Sequence, residues 1–295
     1  MLPSTPVPDG RGGVSAAAAA GAGLGSVVAA SRASLTIARA PRGSVVTRAY
    51  AEAPLKWLTP ASPRGAAWAF ASSYGGGLVG GDRLAIDVTV EPGAHALLST
   101  QASTKVYRSP HGASITLAAA VGRDGVLVSL PDPVVAFTES SFRQRQTFDL
   151  DAGAAVVALD WMTSGRLGHG ERWAFDRYAS ATTIRVDGRL AIHDAVRLDR
   201  EDGDLATRLG RFDVLAVVAI AGAPLAADAR RIADAIGRIA PARRPPVIVS
   251  AAATAGPGCV IRLAGAGVEA VRDAIRHWLA FVPALAGDDP WARKW

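Results

Sequence analysis

Gly75, Gly77 and Gly80, inside the run YGGGLVGGD from Tyr74 to Asp82, match G-x-G-x-x-G. In dinucleotide-binding proteins this pattern brings a pyrophosphate against the first turn of a helix. That chemistry needs a helix directly after the last glycine. Beyond Asp82, however, Leu84, Ile86, Val88 and Val90 alternate with Ala85, Asp87, Thr89 and Glu91, the period of a half-buried strand. No Lys-Ser or Lys-Thr pair stands after the glycines, which excludes a P-loop. The chain is therefore expected not to bind GTP itself.

Other catalytic signatures are missing: there is no G-x-S-x-G, no H-E-x-x-H, and the five histidines occur singly without a His or Cys at metal-ligand spacing. Carboxylates remain. Turn glycines Gly93, Gly125, Gly153 and Gly188 each precede an apolar strand, and seven residues beyond the first three stand Thr100, Asp132 and Asp160, while Asp194 lies six beyond Gly188. Equal offsets from equivalent turns would align Thr100, Asp132 and Asp160 in a row along one edge of a stack of strands. The plainer reading is that acids favour strand ends, where turns begin. Asp160 is the sharper case, because LDWM sets it among apolar neighbours and a buried carboxylate must be paired, protonated or hydrated. Arg166, in the segment GRLGHGE with Glu171, is a candidate partner. Paired carboxylates such as Asp132 and Asp160 would also suit a β-rich hydrolase, but aromatic residues, 6% of the chain, are too few to line its cleft. Asp82 has an alternative role, satisfying backbone N–H groups of its own Gly-rich turn.

The elements that must hold these residues are mostly strands. From residue 33 to 210, short alternating runs separated by Gly, Pro and Asp predict a mainly β region of stacked antiparallel sheet layers, resembling a β-helix because the turn glycines recur about every 30 residues. From 211 to 295 the pattern becomes a smaller α+β region, with two helices over 225–239 and 267–281 and strands near 214–220, 247–252 and 259–263. Residues 1–32, rich in Ala, Gly, Ser and Pro, read as a flexible tail rather than a targeting or membrane segment.

The chain carries a formal net charge of +6 and a pI near 10.1, which points to acidic partners. Nucleic acid is disfavoured, because the arginines are scattered and not interleaved with stacking aromatics. A single cysteine, Cys259, rules out an internal disulfide and a multi-Cys zinc site and fits a reducing compartment, with the cytoplasm as the default.

The segment from Tyr74 to Ser109, with its GGD turn, PGA turn and TQASTKVYRS, resembles the urease accessory protein UreD family, as do LPDPVVAF at 130–137, LDWMTSGRLGHGERW at 159–173 and the closing DPWARKW. The resemblance covers roughly residues 35–295. It implies a non-enzymatic scaffold that binds apo-urease with UreF and the GTPase UreG, with UreE as indirect nickel donor. No cofactor is then permanently bound, and nickel is cargo in transit. An ion that must move on should meet weak, oxygen-rich, hydrated ligands. Asp82, Asp132, Asp160 and Glu171 lie in the matching segments and are the expected nickel path. Thr100, Lys105, Tyr107, Arg108 and Arg166 are expected to serve structure or an interface, and Trp291, Arg293 and Trp295 suit docking onto a partner.

Overall fold

The computed structural model describes residues 30–61, 65–109 and 111–292. The expected tail lies outside the described residues as far as residue 29, and Ser31 already opens the first strand.

The chain starts with two antiparallel pairs, β1 (Ser31–Ala40) with β2 (Gly43–Ala51) and β3 (Leu55–Leu58) with β4 (Ala67–Ser73). It then winds between two facing sheets. β5 (Arg83–Val90) lies in the first and β6 (His95–Thr100) in the second; after the short β7 (Thr104–Val106), β8 (Ala113–Val121) returns to the first and β9 (Val126–Leu130) to the second. After β10 (Val134–Ala136), β11 (Ser141–Leu150) and β12 (Ala155–Thr163) repeat the step. The hairpin β13 (Arg177–Val186) and β14 (Arg189–Asp199) completes the first sheet and leads into a short helix, α1 (Leu205–Leu209). β15 (Val214–Ala221), α2 (Ala226–Gly237), β16 (Val247–Ala253), β17 (Gly258–Gly265), α3 (Val268–Trp278) and α4 (Val282–Ala286) extend and cover the second sheet. Among the described residues the strand orders are β14-β13-β11-β8-β5-β1-β2 and β16-β17-β15-β12-β9-β6-β4-β3.

The mainly β, layered architecture with helices in a small C-terminal part is the one the sequence implies, but the strand direction differs. Neighbours β1-β5-β8-β11-β13 and β4-β6-β9-β12 run parallel; antiparallel pairing is left to the two ends of the first sheet and, in the second, to β3-β4 and the run β12-β15-β17-β16. Each repeat supplies one strand to each sheet, so successive strands within one sheet come round in the same direction. A period of about 30 residues holds two strands and their returns, as a β-coil requires.

Register also corrects the turn equivalence. Because His95 pairs Val126 and Val126 pairs Ala155, the residue equivalent to Gly93 and Gly153 is Asp124, not Gly125. All three adopt positive φ, 68°, 57° and 74°, which Asp tolerates better than most side chains.

The strand β12 is buried on both faces, which explains its nearly continuous apolar sequence. Val156, Ala158 and Met162 face the first sheet, while Ala155, Val157, Leu159 and Trp161 face the layer under α2, α3 and α4. Trp68 anchors that second layer by donating its indole N–H to the Ala286 carbonyl at 2.8 Å. The Gly-rich match is likewise explained without a nucleotide: Gly75 and Gly76 take positive φ, a Cβ on Gly77 would lie 2.7 Å from the Lys105 carbonyl, and the turn runs on into β5.

Candidate functional site

Asp160 interrupts the inward series of β12. The first sheet answers it from β11 and β13: its carboxylate accepts hydrogen bonds from Gln144 Nε2 at 3.1 Å, Tyr178 Oη at 3.3 Å and Ser180 Oγ. Burial pushes its pKa up, against the opposing pull of Ser180, Tyr178 and Gln144. Burial, with the neighbouring Asp160 charge, also raises the Tyr178 phenol well above its ordinary value, so it stays a neutral donor. Asp160 lies deep between the sheets, yet part of its surface is open, because two cavities meet on it. Among the described residues its carboxylate pairs with no cationic side chain. Arg166, the partner expected from sequence, is directed instead to Glu171.

The first cavity, about 360 Å³, has Thr100, Asp132, Gln144, Gln146 and Asp160 in its wall. The second, about 320 Å³, has Asp160, Tyr178, Asp194, Ser250 and Arg262. Both include Asp160 and Trp161, and the Trp161 indole is fixed by donating to the Pro131 carbonyl at 2.8 Å. Asp194 on β14 and Arg262 on β17 form an ion pair in the wall of the second cavity, bridging the two sheets.

The Thr100, Asp132 and Asp160 row exists in a modified form. Ser99 pairs Leu130 and Ser129 pairs Ala158, so carrying the registers forward puts Thr100, Pro131 and Asp160 on one level and Asp132 one residue beyond. That offset is the consequence of the Asp124 turn. Thr100 closes the gap: its hydroxyl donates to Asp132 Oδ2 at 3.1 Å and accepts the Asp132 backbone N–H at 2.7 Å.

The remaining candidates lie elsewhere. Asp82 Oδ2 accepts the Val79 N–H at 2.8 Å, the turn-satisfying role, and lines a hollow on the outer face of the first sheet. Glu171 is gripped by Arg166 through two nitrogens, one at 3.0 Å, and accepts the Thr138 N–H at 3.3 Å; its pKa is lowered chiefly by that Arg166 bond. Arg166 also stacks over Phe137, 4.1 Å from the ring centre, and Tyr107 meets the same ring edge-on at 5.1 Å. Arg108 pairs with Glu139 at 2.6 Å on the surface, and the Lys105 carbonyl receives the Leu78 N–H while its side chain is exposed. Tyr107, Arg108, Glu139, Arg166 and Glu171 line a shallow surface hollow of their own around Phe137. Neither Asp82 nor Glu171 lines the two inner cavities. Trp291 folds back into the helix-covered core, whereas Arg293 and Trp295 lie outside the described residues.

Sequence reasoning noted Asp194 only as falling one residue short of the row, and missed Gln144, Gln146, Tyr178 and Ser180. The signal was present as alternation. In SFRQRQTFDL the inward positions read Phe142, Gln144, Gln146, Phe148, Leu150, and in RYASATTIRV they read Tyr178, Ser180, Thr182, Ile184. Polar residues at inward positions of strands mark a polar seam through the core. Among the described residues no three His, Cys, Asp or Glu side chains cluster to hold a metal, and no helix is long and apolar enough to cross a membrane.

The fold and site define a two-layered β-coil in which two cavities share one buried carboxylate. The sequence matches the family described as UreD urease accessory protein over residues 29–295. It is 47% identical to the urease accessory protein UreD of Sorangium cellulosum, covering 88% of this chain and 83% of that one. It is 42% identical to UreD of Anaeromyxobacter sp., covering 87% of each, and 32% identical to the urease accessory protein D of Oryza sativa subsp. indica, covering 84% of this chain and 91% of the relative. The chain belongs to the UreD family of urease accessory proteins.

Proposed function

We propose that this protein works in the cytoplasm as a scaffold that binds apo-urease together with UreF and UreG, and conducts nickel, supplied indirectly by UreE, during the GTP cycle of UreG. Nickel would pass from the cavity beside Thr100 and Asp132, across Asp160, to the cavity beside Asp194 and Arg262. The observation that carries this reading is that one buried carboxylate, held by neutral donors, stands in the walls of both cavities. Three separated aspartates are single oxygen ligands in succession, suited to brief binding and release rather than to a cage. Asp82 and Glu171 have no part in this route, because their carboxylates are engaged on other surfaces.

The test is urease activation in cells carrying urease and the other accessory proteins, with complex formation monitored by pull-down. Asp160→Asn, which keeps the volume, should lower activation by about tenfold or more while the complex persists. Loss of the complex would make Asp160 structural, and full activation would remove the passage from the mechanism. Full activation without the whole chain would overturn the maturation role itself.

A further inference from the structure

The outer face of the first sheet carries a second pattern, separated from the passage by the sheet itself. Exposed arginines Arg83 on β5 and Arg143 on β11 both stand opposite Ser114 of β8, and Arg145 stands opposite Thr116. The guanidinium groups of these three make no ion pair or hydrogen bond among the described residues. Their neighbours Arg177 and Arg197 differ, because both are spent on the buried Asp199, at 2.7 and 3.0 Å. Asp82, in the wall of the hollow beside the array, has one carboxylate oxygen engaged by its own turn.

The three free arginines border a shallow hollow of about 500 Å³ that also includes Ser114, Thr116 and His111. Between the arginines the face is small: Ala85 and Ala181 sit level with Thr116 and Arg145. Adjacent strands are about 4.8 Å apart, so Arg83 and Arg143, two strands apart, are separated by about 10 Å at the backbone. Arg143 and Arg145 are about 7 Å apart along β11, and side chains two residues apart in any extended chain have the same spacing.

From this we propose that the outer face of the first sheet docks an extended acidic segment of a partner protein, lying along β11 with carboxylates at alternate positions over Arg143 and Arg145 and a flanking carboxylate toward Arg83. The spread of the array favours this occupant over a small oxyanion, which needs donors converging on one point. Nucleic acid lacks a stacking platform here, since the Phe142 ring that lines the hollow faces the core and His111 alone is too little to stack successive bases. The hydroxyls of Ser114 and Thr116 supply the neutral hydrogen bonds between the charges.

The test measures fluorescence anisotropy of a short labelled peptide of alternating Glu and Ser with the full chain at physiological salt. The Arg143→Gln/Arg145→Gln variant should bind at least about tenfold more weakly. Arg243→Gln/Arg244→Gln, which removes the same charge from an exposed loop, should stay within about twofold of the wild type. Equal weakening by both variants, no peptide binding by the wild type, or tighter binding of random DNA than of the peptide would each overturn the proposal. So would displacement of the peptide by inorganic phosphate at concentrations where chloride of equal ionic strength has no effect. The readout does not involve urease or nickel, so its failure leaves the passage untouched, and failure of the passage leaves it standing.

Discussion

Asp160 and Asp199 both lean on the β13 strand, and the protein treats them in opposite ways. Asp199, 2% exposed, lies near the surface under a thin cover made largely by its own partners: the Glu201 N–H at 3.1 Å and the Arg177 and Arg197 guanidinium groups. The Glu201 N–H first, then those arginines, hold its carboxyl below the usual range. Asp160 sits far deeper and receives only neutral donors, so burial wins and its pKa rises. The physical lesson is that a carboxylate meant to fix structure is given its cations by the fold. One left with hydroxyls and an amide keeps a charge that no cation of the fold balances, which is the feature the proposed nickel route would use.

The largest effect on stability is expected from Arg177→Gln with Arg197→Gln, which leaves Asp199 with backbone donors alone: thermal denaturation should begin lower at neutral pH, and the deficit should shrink at acid pH. An unchanged transition would mean that the arginines add nothing beyond the Glu201 cap.

Smaller, and opposite in sign with pH, is Asp160→Asn. For Asp199, with a lowered folded pKa, stability is present above the unfolded carboxyl value near 3.9 and is lost as pH falls through the folded value. For Asp160, with a raised folded pKa, the favourable contribution is present below about 3.9 and is lost as pH rises through the folded value. The Asn variant should therefore gain on the wild type as pH rises from about 4 toward neutrality, measured as the difference in Tm across a pH series. A difference that is flat with pH would mean that the three neutral donors fully offset burial.

Cys259 gives the smallest effect and a useful limit, a titratable group raised by burial alone. Fully buried, with burial pushing its thiol up to about 11, it should be inert to thiol reagents in the folded chain and react promptly in denaturant. Rapid labelling of the native protein would mean that the helix-covered layer opens readily.

That layer also marks how far the sequence can be read. The helices α2 and α3 were legible because each carries a clean period, with Ala229, Ile232 and Ile236 or Val271 and Ile275 on one face, and strands β15, β16 and β17 because each is a short apolar run bounded by turn or loop residues. The parallel coil was half legible: regular turns announced layers, but alternation is the same in parallel and antiparallel strands, so direction could not be read. In the candidate site, Asp160 stood out because an acid inside an apolar run is costly wherever it is buried. Its partners did not, because Gln144, Tyr178 and Ser180 come from strands 16 to 20 residues away in sequence and on the opposite sheet.

By itself, then, the sequence determined the β-rich layering, the C-terminal helices, the strand that follows the Gly-rich turn and the odd carboxylate of β12, since periodicity and local turn chemistry act within a few residues. Tertiary structure alone decided that Arg166 serves Glu171, that Thr100 bridges to Asp132 across a one-residue offset, and that two cavities meet on Asp160. Those outcomes depend on register between strands and on the spacing of two sheets, which no local pattern encodes.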